Sequence, residues 1–282
     1  MAEMEYEEID LRPVSDAQPP APPPQRPRRG TWIAALLILV VAVTGYLVYR
    51  NRASSSTPVA AETPDTPPAA PTPLGAEADA IALPPLDETD EIVRQLVSKL
   101  TSHPSVVAWL ATDDLIRTFT VVMSNIASRE RASGHVPVLK PRAQFAVDER
   151  GEDIYMSPRS HARYTQLATA ASSVAPADAA RLYTMLKPRI EDAYKELGFP
   201  DAPFDQTLER AIVLLLNTPI PTGPVRLQPA GANSYAFADP KLEVLTPSQK
   251  LLIRFGPDNQ RAVQSSLRAM ALALGIAEDR LP

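Results

Sequence analysis

The sequence predicts a mainly helical domain of seven or eight helices with two small β-hairpins, preceded by a single transmembrane helix and Pro-rich disordered segments. Three observations lead there: 18 residues without a charge from Trp32 to Tyr49, 15 of the 31 prolines crowded before residue 86, and apolar residues at helical spacing from Thr89 to Gly275. They divide the chain into an acidic, Pro-rich tail (1–29), a membrane helix (30–50), a Pro/Ala-rich linker (51–82) and a helical soluble domain (83–282).

The stretches "SDAQPPAPPPQRPRR" and "TPVAAETPDTPPAAPTPLGAEADA" are low in large apolar side chains. They cannot bury enough surface to offset the entropy of ordering, so tail and linker are expected to be disordered. Between them, 18 residues at about 1.5 Å each span close to the ~30 Å hydrocarbon core of a bilayer. Trp32 at one end and Tyr46 and Tyr49 at the other suit the headgroup region, with Arg28, Arg29, Arg50 and Arg52 as flanking anchors. A cleaved signal peptide would want a short basic start and a small-residue cleavage site. Here a partly acidic tail precedes the run and "YRNR" follows, so an uncleaved signal anchor fits better.

Residues 53–93 contain no Lys or Arg. A cytoplasmic segment beside a membrane does not ordinarily avoid them, which favours a cytoplasmic N-terminus and an exported body, the periplasm of a bacterium. The formal charge of −5 divides into −2 for the tail, +2 for the helix flank and −5 for the rest. An acidic body is a poor match to polyphosphate, so nucleic acid is not expected as a partner. With no cysteine, thiolate nucleophiles, Cys metal sites and disulfides are excluded.

Within the body, "LDETDEIVRQLVSKL" starts a helix at Thr89 with acids at its positive end and Ile92, Val93, Leu96, Val97 and Leu100 on one face. "TDDLIRTFTVVMSNIAS" repeats the device, with Thr112 as cap and Asp113 and Asp114 in the first turn. "QFAVDERGEDIYM" reads as a hairpin about Arg150–Asp153, and Ser157–Pro158 opens a helix through Ala170. "LYTMLKPRIEDAYKELG" is helical to Gly198, with Pro188 expected to bend or split it. Asp205 is read as the cap of the next helix and "VRLQPAGANSYAF" as a second hairpin. Asp239, Thr246 and Gly256 punctuate two short helices, and a last helix buries Val263, Leu267, Met270 and Leu274.

No nucleophile elbow, phosphate-binding loop, zinc-protease or dinucleotide motif is present, so no catalytic, cofactor-binding or metal residue is assigned. His103, His135 and His161 lie 32 and 26 residues apart, too far for local presentation of two metal ligands, and read as separate surface or capping residues. The acid pairs Glu152–Asp153 and Glu191–Asp192 suit glycoside cleavage by residue type, but nothing predicts a raised pKa, and a hairpin tip and a solvated helix face are the preferred reading. The basic loop with Arg129, Arg131, His135, Lys140 and Arg142 reads as a solvated loop, with an anionic partner as the sharper alternative.

The segments "LPPLDETDEIV", "HPSVVAWLATDDLIRTFTVVMSNIA", "LKPRIEDAYKELGFP" and "FADPKLEVLTPSQKLLIRFGPDNQ" resemble, in order, the bacterial domain of unknown function 3014 family over about residues 83–275. The resemblance implies one membrane helix, a Pro-rich linker and this domain, and it carries no activity, cofactor or catalytic residue across. The expectation is therefore a single-pass inner-membrane protein with a non-catalytic binding or scaffolding role toward an envelope protein or wall component. An envelope hydrolase or transferase with a dispersed site is the first alternative, and a cytoplasmic-facing scaffold the second.

Overall fold

A computed structural model describes residues 73–282 apart from 77, 79, 80, 232 and 233. The expected membrane helix with its expected anchors Arg28, Arg29, Trp32, Tyr46, Tyr49, Arg50 and Arg52, the expected tail and most of the expected linker lie outside the described residues. Among the described residues no helix is long and apolar enough to cross a membrane.

The helices are α1 (Asp90–Ser98), α2 (Pro104–Leu110), α3 (Leu115–Ala127), α4 (Pro158–Ala162), α5 (Thr165–Ala171), α6 (Pro176–Glu196), α7 (Phe204–Leu216), α8 (Pro240–Glu243), α9 (Pro247–Arg254) and α10 (Pro257–Ala273). Eight of them are substantial. The strands are β1 (Val147–Arg150), β2 (Asp153–Met156), β3 (Arg226–Gly231) and β4 (Ser234–Phe237). The two expected hairpins are present, but they form one four-stranded antiparallel sheet in the order β1-β2-β3-β4, joined where Ile154 faces Leu227 and Tyr155 faces Arg226. That pairing brings together strands about seventy residues apart, which alternation inside four-residue strands cannot reveal. Met156, Val225, Leu227, Phe237 and Ile253 make a small core under the sheet.

The main core lies among the helices. Val93 and Val97 of α1, Leu115 and Ile116 of α3, Ala180 to Tyr194 of α6 and Phe204 to Ile212 of α7 contribute its buried side chains. Of the bend or split expected at Pro188, the split does not occur, and α6 runs through it as one helix. Proline there removes a bond to the Thr184 carbonyl, yet buried Tyr183 and Leu186 before it and Ile190, Ala193 and Tyr194 after it hold both halves in one core. The helix read from Ser157 to Ala170 is instead two, α4 and α5, broken at Arg163–Tyr164. In α10, Val263, Leu267 and Met270 are only half-buried, and the fully buried positions are Gln260 and Ala271. Gln260 and Gln264 donate to the carbonyls of Leu215, Leu216, Thr218 and Pro219, which satisfies the C-terminal end of α7.

Helix starts follow the sequence only in part. Thr246 and Gln249 form a capping box on α9, and Asp239 accepts from the Lys241 N–H at α8. Thr112 does not cap α3. Its hydroxyl donates to the Trp109 carbonyl, and the amides of Asp114 and Leu115 donate instead to Asp90 of α1, at 2.8 and 2.9 Å. Asp205 likewise does not cap α7, since Glu191 of α6 accepts from the Phe204 N–H at 3.1 Å.

Pro188 is exposed, so replacing it tests the helix alone. Pro188→Ala is expected to stabilise the protein by about 1–3 kcal/mol by restoring one backbone donor and removing the ring clash. A higher urea midpoint at unchanged m-value is the measurement that checks it.

Candidate functional site

The chain's junction with its linker is built around one carboxylate. Asp205, 9 % exposed, accepts from the Leu74 N–H at 3.0 Å, the Tyr183 hydroxyl at 2.5 Å and the Lys187 ammonium at 2.5 Å. Burial, together with the neighbouring Asp205 carboxylate, pushes the Tyr183 hydroxyl well above the ordinary phenol range, so it stays a donor. The Gly75 N–H donates to the Leu274 carbonyl and the Thr184 hydroxyl to that of Ala76, both at 2.9 Å. Gly75 has φ +132°, and a Cβ there would come within 2.2 Å of the Thr184 Oγ1, so only glycine fits. The packed chain thus begins before residue 83, where composition alone draws the boundary.

Beside this latch runs a cleft of about 590 Å³ whose lining includes Leu74, Arg129, Asp205, Gln206, Glu209, Arg210, Asn217 and Arg280. Arg280 is bound to Glu209 at 2.6 Å, and Arg210 donates to the Thr207 hydroxyl at 2.7 Å. With Lys187 on Asp205, the three arginines face one partnered carboxylate, which leaves this wall cationic on an acidic chain. The cleft can hold a polar or anionic group by directional hydrogen bonds.

The residues singled out in the sequence mostly serve the scaffold. His103 accepts from the Ser105 N–H at 3.2 Å and caps α2. His135 is exposed. His161 is half-buried against Gly256, where an added Cβ would meet its ring at 2.4 Å, and its Nε2 has no partner. Asp113 is almost fully exposed, and Asp114, at φ 55°, is bound to Arg117 at 3.0 Å. Asp153 is bound to Arg226 and Asp192 to Arg189, at 2.6 and 2.5 Å. Of the basic loop, Arg129 alone lines the cleft. Glu209 and Arg210, adjacent in α7, were missed because an acid–base pair on a helix carries no distinctive signal, and Arg280 because it lies seventy residues away.

The family model described as "Protein of unknown function (DUF3014)" matches residues 115–271, more than half of the chain. The chain belongs to the DUF3014 family. The matched region of this DUF3014 protein runs from the start of α3 into α10 and includes Asp205, Glu209 and Arg210, whereas Leu74 and Arg280 lie outside it. No curated protein and no solved structure matches.

Two measurements test the DUF3014 geometry. Asp205→Asn leaves Lys187 without its counter-ion and is expected to cost about 3 kcal/mol, with residues near Leu74 becoming sensitive to protease. Adding Lys187→Met should recover part of that loss, because no unpaired charge remains. For His161, burial holds the imidazole below its ordinary pKa of 6.5 against the opposing pull of Asp258. The unfolded chain then binds more protons just below pH 6.5, so stability is full above that pH and declines as pH falls through the lowered value. His161→Gln is expected to remove this part of the pH dependence of the thermal midpoint.

Proposed function

We propose that the chain is a single-pass inner-membrane protein whose helical domain stands on the periplasmic side and binds an envelope protein or wall component without turning it over. The observation that carries the reading is the latch at Asp205, which fixes the end of the linker beside the cationic cleft. A partner held in the cleft is thereby tied to the tether at a defined point. The uncharged run from Trp32 to Tyr49 supports the membrane anchor, and the lack of Lys and Arg from 53 to 93 supports export. Residues 53–72, rich in proline, would reach about 60 Å at ~3.1 Å per residue, enough to carry the domain clear of the bilayer.

A binding role also agrees with how the carboxylates and histidines are used. Glu191 and Asp90 accept from helix amides, Asp153 and Asp192 are ion-paired, and His103 caps α2. These groups hold the scaffold rather than meet a reacting atom.

An alkaline phosphatase fusion at the C-terminus reports the side of the membrane, and a photo-crosslinking residue at Asn217 reports the cleft. Active fusion and one dominant adduct from Asn217, absent when the crosslinker sits at Arg261 outside the cleft, are expected. An inactive but well-expressed fusion would place the domain in the cytoplasm, and identical adducts from both positions would remove the cleft from the binding role.

A further inference from the structure

We propose that the apolar recess lined by α1, α2, α3, α6 and α10 receives the acyl chain of a free long-chain carboxylate, whose head group meets Lys99 and Arg181 at the rim. The inference goes beyond the tethered-binding reading and holds whichever side of a membrane the domain occupies.

The space measures about 370 Å³, and its lining is apolar on every side, from Val97 of α1 and Val106 and Trp109 of α2 to Phe119, Leu182 and Met270. The one hydroxyl among the lining residues, that of Tyr183, is committed to Asp205 at 2.5 Å. Water in a protein interior needs two to four polar partners, which these walls do not offer, whereas apolar cavities of roughly 150 Å³ accept a guest the size of benzene. More than twice that volume suits a longer hydrocarbon. It also lies at the low end of the roughly 300–1,000 Å³ of small-ligand sites, which favours one chain over two.

The rim decides the head group. A smaller hollow of about 180 Å³ adjoins the cavity, shares Leu100 and Leu182 with it, and carries Lys99, Asp178 and Arg181. Arg181 is bound to Asp178 at 3.0 Å, with both side chains substantially exposed. Lys99 is exposed and enters no ion pair among the described residues. Two cations against one acid select an anion, and a carboxylate bound to one end of an alkyl chain places charge at Lys99 and carbon against Trp109. Water has access to the rim, so the charge at Lys99 tunes affinity modestly, while the chain supplies most of it.

Trp109 makes the site observable, because the chain has only two tryptophans and Trp32→Phe leaves it alone. The full chain carrying Trp32→Phe, in phosphatidylcholine nanodiscs, is titrated with palmitate brominated at mid-chain. Saturable quenching of Trp109, reversed by plain palmitate and weaker with the neutral methyl ester, is expected. Ala179→Phe, which projects a ring into the cavity, should weaken binding more than tenfold, and Lys99→Glu on the order of two- to fivefold, the size of an exposed ion pair. Quenching that does not saturate, or that Ala179→Phe leaves unchanged while the variant melts cooperatively, would overturn the site. The comparison of acid with ester needs no variant: equal affinities would overturn the assignment of the head group. Lysophosphatidylglycerol displacing the probe more effectively than palmitate would overturn the free carboxylate in favour of a lipid.

Discussion

A single buried carboxylate ties the start of the domain to the helices at its middle. Leu74 precedes α1, Tyr183 and Lys187 come from the middle of α6 and Asp205 itself from α7, so one group closes contacts across more than a hundred residues. Magnitudes explain why it is needed. Burying the Leu74 side chain contributes about 2 kcal/mol, while ordering the backbone of residues 73–76 costs about 1–2 kcal/mol each. Apolar contact alone therefore loses. The hydrogen bonds from Leu74, Gly75 and Thr184 shift the balance, at about 1 kcal/mol for neutral partners and more for the charged acceptor.

The same economy governs the helix ends, where polar side chains from a neighbouring element repeatedly satisfy orphan backbone groups. Asp90 of α1 accepts from the start of α3, Glu191 of α6 from the start of α7, and Gln260 and Gln264 of α10 donate to its end. Each bond is therefore both a cap and a tertiary contact. Helices held this way fold as a set, because removing one neighbour leaves a terminus of another unsatisfied. On the surface Arg117 joins elements through side chains alone, donating to the carboxylates of Asp87, Asp114 and Glu196, and its guanidinium holds the Glu196 carboxyl below the usual carboxylate range.

This habit also marks where sequence reading succeeds and where it stops. The helical class, both hairpins, the capping reading of His103 and the helix boundaries at Asp239 and Thr246 were legible, because each depends on residues within a few positions of one another. Thr112 and Asp205 misled because a Thr or Asp at a helix start normally caps it, whereas here Asp90 and Glu191 occupy those amides from elsewhere. Once displaced, Asp205 is free for the latch. The union of the hairpins through Ile154 and Leu227, the continuity of α6 through Pro188 and the assembly of Arg129, Arg210 and Arg280 in one cleft all depend on partners distant in sequence. Local pattern carries no information about any of them.

The apolar space in the helical core sets a further constraint on how the fold is stabilised. Side chains that line it lose contact partners on the open side, a cost that grows with the unfilled volume. A larger side chain at Ala179 is the simple remedy open to the sequence, yet alanine stands at that wall of the cavity, in the first turn of α6. The latch at Asp205 and the shared helix caps then have a second consequence. They secure α3, α6, α7 and α10 through polar contacts at their ends and flanks, in addition to the apolar core that α1, α3, α6 and α7 share. A domain braced in that way can keep an apolar recess as a standing feature of its fold.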